Sequence, residues 1–396
     1  MTFDQLLNKK IQIDENGAKS SVRDIYSTFN PTVDYQKFIE SGHAEAIVRM
    51  MEPAIVEPDE HAPSSVAFWA KRGMVKEFHW ESVPMDWEKY AARTGYTYNR
   101  AKYQLEQDEW KKWVSYVPVS AFRQENRMKK YPLMFVLHGG TNLVHTVEGW
   151  GYIDAAAEKE WIVIVPTLEI DEVILEILEE AKRLYPVDES RIYASGFSYG
   201  GAMSCRLGQQ HPEVFAAVGP CGYWLGNGVF YREGAEPEPP FDGIPRAKAM
   251  HTYMPVISIY GDKDGNRYPF FALGDGSSFG DSFDAVIDGI NLWAEVNDAA
   301  PIDKAATRAL AGRHDLYPAE QVIGIPLIPE CGRQSQADGI TYTVADLKSK
   351  DGVVRVRLVC EENTPHWPTP EMSRLVMDFC GHFSRDPETK ESIYTA

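Results

Sequence analysis

The feature that most constrains the fold of this chain is a series of apolar runs that alternate with helical patterns between residues 133 and 222. The runs are rich in β-branched residues and lie at Leu133–Leu137, Trp161–Val165 and Arg191–Ser195. Apolar residues at helical spacing separate them, at Ile153–Lys159 and about Asp171–Tyr185. Continuous apolar strands are buried on both faces, and their alternation with helices indicates parallel pairing. The sequence therefore predicts an α/β fold with a mostly parallel central sheet and helices on both faces.

The rest of the chain is expected to be arranged around this α/β series. Residues 1–110 are polar and mixed, with a helical pattern at Tyr35–Met51, and are expected to form a partly helical N-terminal extension that packs on the core or leads into it. Residues 111–396 are expected to form the main domain. Residues from about 225 to 254 are rich in Gly, Pro and Glu and indicate a lid-like insertion. Further strands are expected at Val75–Trp80, Lys112–Pro118, Val256–Tyr260, Ile340–Val344 and Val353–Val359.

Composition and charge exclude several classes of partner. The 396 residues are 44% apolar and 12% aromatic, which is enough to bury a large core. Lys and Arg total 40 against 58 Asp and Glu, and the net charge of -18 repels nucleic-acid phosphates and anionic lipid surfaces. No apolar stretch approaches the ~20 residues needed to cross a bilayer. We therefore expect a soluble protein with no nucleic-acid partner and no membrane partner, and the oligomeric state is left open.

Cysteine usage and the N-terminus favour a cytoplasmic location. The five cysteines are odd in number and widely spaced, with neither the density of a disulfide scaffold nor the C-x-x-C spacing of a zinc site. Residues 1–10 lack the pattern of a secretory signal, although removal of a signal before numbering would make the protein secreted instead. The sequence contains no H-E-x-x-H motif and no phosphate-loop lysine motif. Neither a metal nor a cofactor is expected.

A motif with chemical meaning follows the third apolar strand. Residues Gly196–Gly201 read G-F-S-Y-G-G and stand between that strand and an apolar helical pattern at Ala202–Leu207. A serine on so sharp a turn needs neighbours without a β-carbon, because bulk at Gly196 or Gly200 would collide with the adjoining strand and helix. Ser198 is therefore the predicted nucleophile, and a plain Gly-Ser loop is the alternative.

Two backbone N–H groups are candidates to hold a negatively charged oxygen. His138, Gly139 and Gly140 directly follow the first apolar strand, and a turn that contains glycine can point a backbone N–H at a developing oxyanion. The N–H of Gly140 and the N–H of Tyr199, the residue after the serine, form the predicted oxyanion hole. A plain β-turn is the alternative for the glycines. His138 is interpreted as a structural residue because it precedes the serine.

Carboxylates and a histidine follow later strands. Two carboxylates, Asp262 and Asp264, come directly after the strand that ends at Tyr260, and one of them would orient an imidazole. After the last predicted strand, a loop carries His366, which is placed to reach back over the sheet. The order of serine, acid and histidine along the chain is that of the α/β-hydrolase fold. Ser198, His366 and one of the two carboxylates are therefore expected to act together.

These motifs also carry a family resemblance. The resembling stretches are Pro132–Gly140, Tyr185–Met203 and His211–Val218. They are similar to the polyhydroxybutyrate depolymerase and feruloyl esterase group of α/β hydrolases, and the resemblance covers about residues 112–385. It implies an α/β-hydrolase fold for residues 111–396, which would make them the catalytic domain.

The resemblance implies roles for single residues. The family's acid stands three residues after the glycine of an H-G-x-x-D motif, which corresponds to Gly261 and Asp264, with Tyr260 in place of the family's histidine. Asp264 is therefore preferred over Asp262. The family's histidine stands in G-H-x-W-P, where this chain has Pro365-His366-Trp367-Pro368, without the glycine and one residue shorter before the tryptophan. His366 is the implied base, and Trp367 joins the candidate substrate-binding residues.

The predicted function is that of a serine esterase that forms an acyl-enzyme intermediate. Trp150, Tyr223 and Trp224 lie near the expected site, and together with the net negative charge they favour small aromatic or short-chain acyl esters as substrates. A serine peptidase or amidase is an alternative, because esters and amides both react through a tetrahedral oxyanion. A noncatalytic binding protein of the same fold is a second alternative.

Overall fold

A computed structural model describes most of the chain, in the ranges 2–12, 19–21, 33–40, 65–79, 113–139, 144–167, 169–223, 225, 247, 250–264, 283–306, 332–335 and 340–396. The described strands are β1 (Lys10–Gln12), β2 (Lys19–Ser21), β3 (Met74–His79), β4 (Trp113–Pro118), β5 (Tyr131–Leu137), β6 (Ile162–Pro166), β7 (Val187–Phe197), β8 (Ala217–Cys221), β9 (Val256–Gly261), β10 (Gly332–Ser335), β11 (Thr341–Lys348), β12 (Val354–Glu361), β13 (Phe383–Arg385) and β14 (Ser392–Tyr394). The described α-helices are α1 (Phe3–Leu7), α2 (Tyr35–Phe38), α3 (Val66–Ala70), α4 (Tyr152–Lys159), α5 (Asp171–Leu184), α6 (Tyr199–Gln210), α7 (Phe283–Val296) and α8 (Pro370–Gly381). Short 3-10 helices span Val119–Phe122, Gln124–Asn126 and Val144–Gly149.

The central sheet has the order β10-β11-β12-β9-β8-β7-β5-β6-β4-β3. All pairs from β12 across to β6 are parallel, and the pairs outside them are antiparallel. The predicted mostly parallel sheet is therefore confirmed. From β5 the chain moves outward to β6 and then returns to β7 on the other side of β5, so the strand order reverses there. In open α/β sheets, ligands bind at the carboxyl ends of the strands beside such a reversal.

Helices cover both faces of this sheet. β5 is buried along its whole length, with Leu133, Phe135 and Leu137 on one face and Met134 and Val136 on the other. Apolar residues of α5, α6 and α7 pack on the first face, and those of α4 and α8 pack on the second. Because helices shield both faces from water, the central strands are apolar throughout and do not alternate between apolar and polar residues. The prediction of helices on both faces is confirmed.

Part of the N-terminal region belongs to this core. β3, within the first 110 residues, forms one edge of the central sheet by pairing with β4. The helix expected at Tyr35–Met51 is described only as far as residue 40, and α2 ends at Phe38. Of the lid-like insertion at about 225–254, residues 226–246, 248 and 249 lie outside the described residues. In the ranges that the structure describes, no helix is both long enough and apolar enough to cross a membrane.

Candidate active site

Ser198 stands on a strained turn between a strand and a helix. β7 ends at Phe197 and α6 begins at Tyr199, while Ser198 between them has φ +57° and ψ −112°. A positive φ is uncommon for a residue with a β-carbon and has to be held by its surroundings. One such restraint is the hydrogen bond that the Ser198 N–H donates to the carbonyl of Cys221 at the end of β8, at 2.9 Å. The turn lifts the serine to the carboxyl end of the sheet.

Two glycines allow this turn to press against the end of β5. Gly196 pairs with Leu137 in the parallel register of β7 and β5. A β-carbon at Gly196 would lie 2.5 Å from the Leu137 carbonyl oxygen, and one at Gly200 would lie 2.2 Å from the same atom. Both contacts are with backbone, which cannot move aside easily. The steric need for glycine at these two positions is confirmed.

The predicted oxyanion hole is described only in part. His138 follows β5, and its ring nitrogens lie 2.9 Å from the Gly139 carbonyl oxygen and 3.2 Å from that of Thr167. These contacts tie the imidazole to the backbone. Gly140 lies outside the described residues. Tyr199 is the first residue of α6, so its N–H belongs to the positive end of a 12-residue helix, where negative charge is stabilised.

His366 and Asp264 meet at the ends of two neighbouring parallel strands. The register pairs Gly261, the last residue of β9, with Glu361, the last residue of β12. From these ends the two loops bring His366 Nδ1 within 2.6 Å of Asp264 Oδ2. A carboxylate only accepts hydrogen bonds, so Nδ1 carries the proton and Nε2 is left able to accept one. The Asp264 side chain is 1% exposed and that of His366 is 17% exposed, so the hydrogen bond between them is shielded while the ring still reaches solvent.

The histidine ring also lies beside the serine turn. Its centroid is 4.8 Å from the ring of Phe197, the residue that immediately precedes Ser198. The structure therefore brings His366, after β12, into contact with Asp264, after β9, and places the imidazole against Phe197, the neighbour of Ser198 after β7. Such an arrangement can transfer a proton from a serine hydroxyl to an imidazole held by a carboxylate.

The other candidate acid, Asp262, contacts the backbone of the loop that carries His366. We call residues 362–369 the histidine loop. Asp262 Oδ1 accepts a hydrogen bond from the Thr364 N–H at 3.3 Å, and the Lys263 N–H donates to the Thr364 carbonyl at 3.0 Å. A β-carbon at Gly261 would lie 1.9 Å from that carbonyl oxygen, so the two loops touch because residue 261 is glycine. Asp262 thus supports the loop, and Asp264 contacts the imidazole.

The predicted substrate-binding residues have different surroundings. Trp150 and Trp367 are 0% and 2% exposed and belong to the apolar core on the α4 and α8 face. Tyr223 is half-buried after β8, and its β-carbon lies near the first turn of α6, 3.0 Å from where a Gly201 β-carbon would be. Trp224 lies outside the described residues. The roles of these four residues in binding substrate stay predictions.

Several supporting residues around the site were not predicted. Beneath the serine turn, Tyr152 Oη lies 2.5 Å from Ser195 Oγ and 3.7 Å from Cys221 Sγ. Burial raises the pKa of Tyr152 far above its ordinary range and raises the pKa of Cys221 to about 12, so both side chains stay neutral. The sequence signal for this cluster was a serine directly after the apolar residues 192–194. Such a signal does not identify the partner of the serine.

The far end of the histidine loop is anchored by a buried acid. Thr369 Oγ1 lies 2.9 Å from Glu361 Oε2, and the same hydroxyl accepts the Met372 N–H at 3.2 Å as the N-cap of α8. Threonine followed by proline is a helix-start signal, so the cap itself was readable from the sequence. The hydrogen bond between Thr369 and Glu361 could not be predicted from the sequence, because it depends on the path of the loop between them. No group of three or more His, Cys, Asp or Glu side chains suited to a metal occurs among the described residues.

The sheet order, the serine turn and the two covered faces define an α/β-hydrolase fold. No family model matches the chain. Over 163 residues it is 30% identical to NocK of Nocardia uniformis subsp. tsuyamanensis, a protein named as a candidate esterase, and the match covers 36% of this chain and 42% of NocK. Over 116 residues it is 32% identical to the 5'-nucleotidase SurE of Actinobacillus pleuropneumoniae serotype 5b (strain L20), covering 27% of this chain and 43% of SurE.

The chain thus spans less than half the length of these two curated relatives. Among solved structures it is similar to an acetyl xylan esterase from Aspergillus awamori, with 14% sequence identity and a TM-score of 0.42. That similarity covers 68% of this chain and 93% of the esterase.

Proposed function

We propose that this protein is a serine hydrolase that cleaves carboxylic esters. The observation that carries the proposal is the 2.6 Å contact between His366 Nδ1 and Asp264 Oδ2, with the imidazole lying against Phe197 beside the turn of Ser198. The resemblance of the motifs to the depolymerase and feruloyl esterase group supports it. The partial match to NocK, whose name marks it as a candidate esterase, supports it as well.

In the proposed mechanism, the Ser198 hydroxyl attacks the ester carbonyl while His366 Nε2 takes its proton. The carbonyl oxygen becomes an oxyanion that the N–H groups of Gly140 and Tyr199 stabilise. The imidazolium then gives the proton to the leaving alcohol, and an acyl-serine remains. Water attacks the acyl-serine in the same way, and the acid and the serine are released. Asp264 orients the imidazole and stabilises its positive charge throughout.

Small neutral esters are the proposed substrates. The net charge of -18 disfavours the approach of anionic molecules. Tyr223, half-buried beside the first turn of α6, and Trp224 after it are the aromatic residues proposed to contact an aryl or short acyl group. Trp150 and Trp367 are buried, and we propose that they support the residues that contact such a group.

The proposal is tested by labelling with a fluorophosphonate probe, which reacts with activated serines. We expect the wild-type protein to take up one probe per chain and the Ser198→Ala variant to take up none. Ser204→Ala is a matched control, because Ser204 lies in the same helix and its hydroxyl only donates to the Gly201 carbonyl at 2.7 Å. This variant should be labelled like the wild type. Labelling that survives Ser198→Ala would contradict the proposal.

A substrate panel tests the bond that is cleaved. Wild-type protein is assayed on an aryl acetate, on the acetanilide with the same aryl group, and on a 5'-nucleotide. The nucleotide is included because part of the chain matches a protein named as a 5'-nucleotidase. We expect hydrolysis of the ester at a rate at least 100-fold above that of the anilide, and no release of phosphate. Faster cleavage of the anilide would favour an amidase. Release of phosphate that survives Ser198→Ala would indicate different chemistry.

A further inference from the structure

The histidine loop contacts a segment from the other end of the chain. Asn363, three residues before His366, accepts a hydrogen bond at Oδ1 from the Asp34 N–H at 2.8 Å. Its Nδ2 donates to the Asp34 carbonyl oxygen at 2.9 Å, and the two residues are 329 positions apart. One carboxamide therefore pairs with both backbone groups of a single residue. A carboxamide suits this arrangement because it carries a donor and an acceptor side by side, whereas a carboxylate only accepts.

Asp34 takes part through its backbone, because its side chain is used elsewhere. Asp34 Oδ1 accepts the Lys37 N–H at 3.1 Å and so caps α2. The Asp34 carbonyl also accepts the Phe38 N–H at 2.9 Å, within that helix turn. The backbone that meets Asn363 is thus held in place by the helix that follows it. Changes of the Asp34 side chain and of its backbone N–H can be separated experimentally.

The segment that carries Asp34 is anchored in the core. We call residues 33–40 the N-terminal segment. Four of its apolar side chains are between 4% and 8% exposed and belong to the apolar core on the α4 and α8 face: Val33, Tyr35, Phe38 and Ile39. Several buried side chains together can fix the position of so short a segment. Its backbone can therefore serve as a fixed support for another loop.

The part of the histidine loop that precedes His366 lies between two supports. On one side Thr364 is bound to the loop that carries the acid, through Asp262 Oδ1 and the Lys263 N–H. On the other side Asn363 is bound to the N-terminal segment. Asn363 has φ +53°, a left-handed conformation that asparagine and glycine tolerate better than other residues. The residues at which the loop is held directly precede Pro365 and His366.

We propose that the N-terminal segment is a positioning element for His366 and acts through Asn363. The proposal rests on the proposed function, in which the imidazole must meet the Ser198 hydroxyl. Proton transfer requires hydrogen-bond distance, and a misplacement of about 1 Å can cost a factor of about 10² in rate. Without the contact to Asp34, the stretch just before Pro365 is held only on the acid side, while the Thr369 anchor holds the far end of the loop. The imidazole between them can then tilt away from the serine.

Two variants remove this contact from opposite sides. Asp34→Pro deletes the backbone N–H that Asn363 accepts, and the Asp34 φ of −78° is one that proline adopts. Asp34→Ala is its matched control, because it loses the same cap on α2 but keeps the N–H. Asn363→Gly deletes the carboxamide and keeps a residue that favours the positive φ. Because these variants alter different segments, either one can decide the question if the other does not fold.

The measurements are kcat and KM for an aryl acetate and the rate of fluorophosphonate labelling, each about 20 °C below the unfolding midpoint of the variant. We expect Asp34→Pro and Asn363→Gly to lower kcat and the labelling rate by about 10- to 100-fold, with KM within twofold of the wild type. Asp34→Ala should stay within threefold. Both changes remove the same contact. The kcat of the double variant should therefore be no lower than that of the less active single variant.

Each of the following results would overturn the proposal: unchanged kcat in both variants, equal losses in Asp34→Ala and Asp34→Pro, or losses that multiply in the double variant. A lower unfolding midpoint without a change in kcat would show a purely structural contact and would also overturn it. Failure of the proposed function is visible separately, as a wild-type protein that the probe does not label at Ser198.

Discussion

Replacing Asp264 with asparagine is expected to lower kcat by about 10²- to 10⁴-fold without unfolding the protein. In the wild type, Asp264 Oδ2 holds the Nδ1 proton of His366 at 2.6 Å, which leaves Nε2 free to accept the serine proton. An asparagine amide that turns its NH₂ group toward Nδ1 reverses this arrangement. The proton then resides on Nε2, and the imidazole cannot act as a base.

The other orientation of the amide keeps the imidazole competent but is costly. It places the NH₂ group where Asp264 Oδ1 lies, an atom that is buried and has no hydrogen-bond partner within the described part of the chain. A buried amide without an acceptor costs about 1–3 kcal/mol, which reduces the competent population by about 5- to 150-fold. The missing carboxylate charge weakens the hydrogen bond to the imidazolium by about 1.5–3 kcal/mol, a further factor of about 10 to 150.

The assay is hydrolysis of an aryl acetate at pH 8, with Asp262→Asn as the matched control. Asn in place of Asp262 keeps an amide oxygen that can accept the Thr364 N–H, which lies 3.3 Å from Oδ1 in the wild type. The control should lose less than about 10-fold, because the Thr364 N–H contact that it weakens does not involve the imidazole. A larger loss for Asp262→Asn than for Asp264→Asn would refute the assignment of the acid. So would a kcat for Asp264→Asn within tenfold of the wild type.

Three further predictions concern stability. Gly200→Ala should destabilise the fold by roughly 3 kcal/mol or more in urea unfolding, because its β-carbon would lie 2.2 Å from a backbone oxygen; a loss below 1 kcal/mol would contradict this. Glu148→Gln should cost about 3–5 kcal/mol in the same assay, because it leaves the buried Lys76 ammonium without its partner carboxylate; adding Lys76→Met should recover much of the loss. Burial alone would raise the pKa of Asp171. The charge of Arg206 and the contact with His211 outweigh burial and lower the pKa from 3.8 to about 2. Because the folded-state pKa is depressed, this carboxylate contributes about 2 kcal/mol of stability above about pH 4, which is lost as the pH falls to about 2. Unfolding free energies between pH 5 and pH 2 should therefore fall less steeply for Asp171→Asn than for the wild type.

The sequence by itself determined the parallel centre of the sheet and the serine turn. Both depend on residues that are close along the chain. An apolar run such as Leu133–Leu137 can be buried on both faces only if helices cover it, and helical patterns separate the successive runs. The glycines around Ser198 reveal a sharp turn because no other residue fits against the Leu137 carbonyl. The order of serine, acid and histidine was readable because each of them directly follows a strand-like run of its own.

Contacts between distant loops were decided only by the tertiary structure. Asp262 and Asp264 are two residues apart and alike in chemistry, so the residues alone left both open, although the family resemblance favoured Asp264. The pairing of Gly261 with Glu361 sets the level at which the two loops leave the sheet, and it brings Asp262 to the Thr364 backbone and Asp264 to His366. A second pairing joins the Asn363 carboxamide to the backbone N–H and carbonyl of Asp34, 329 positions away, and every residue type except proline carries both of those backbone groups. No periodicity or motif can report such a contact, because it exists only once the core has fixed both segments in space.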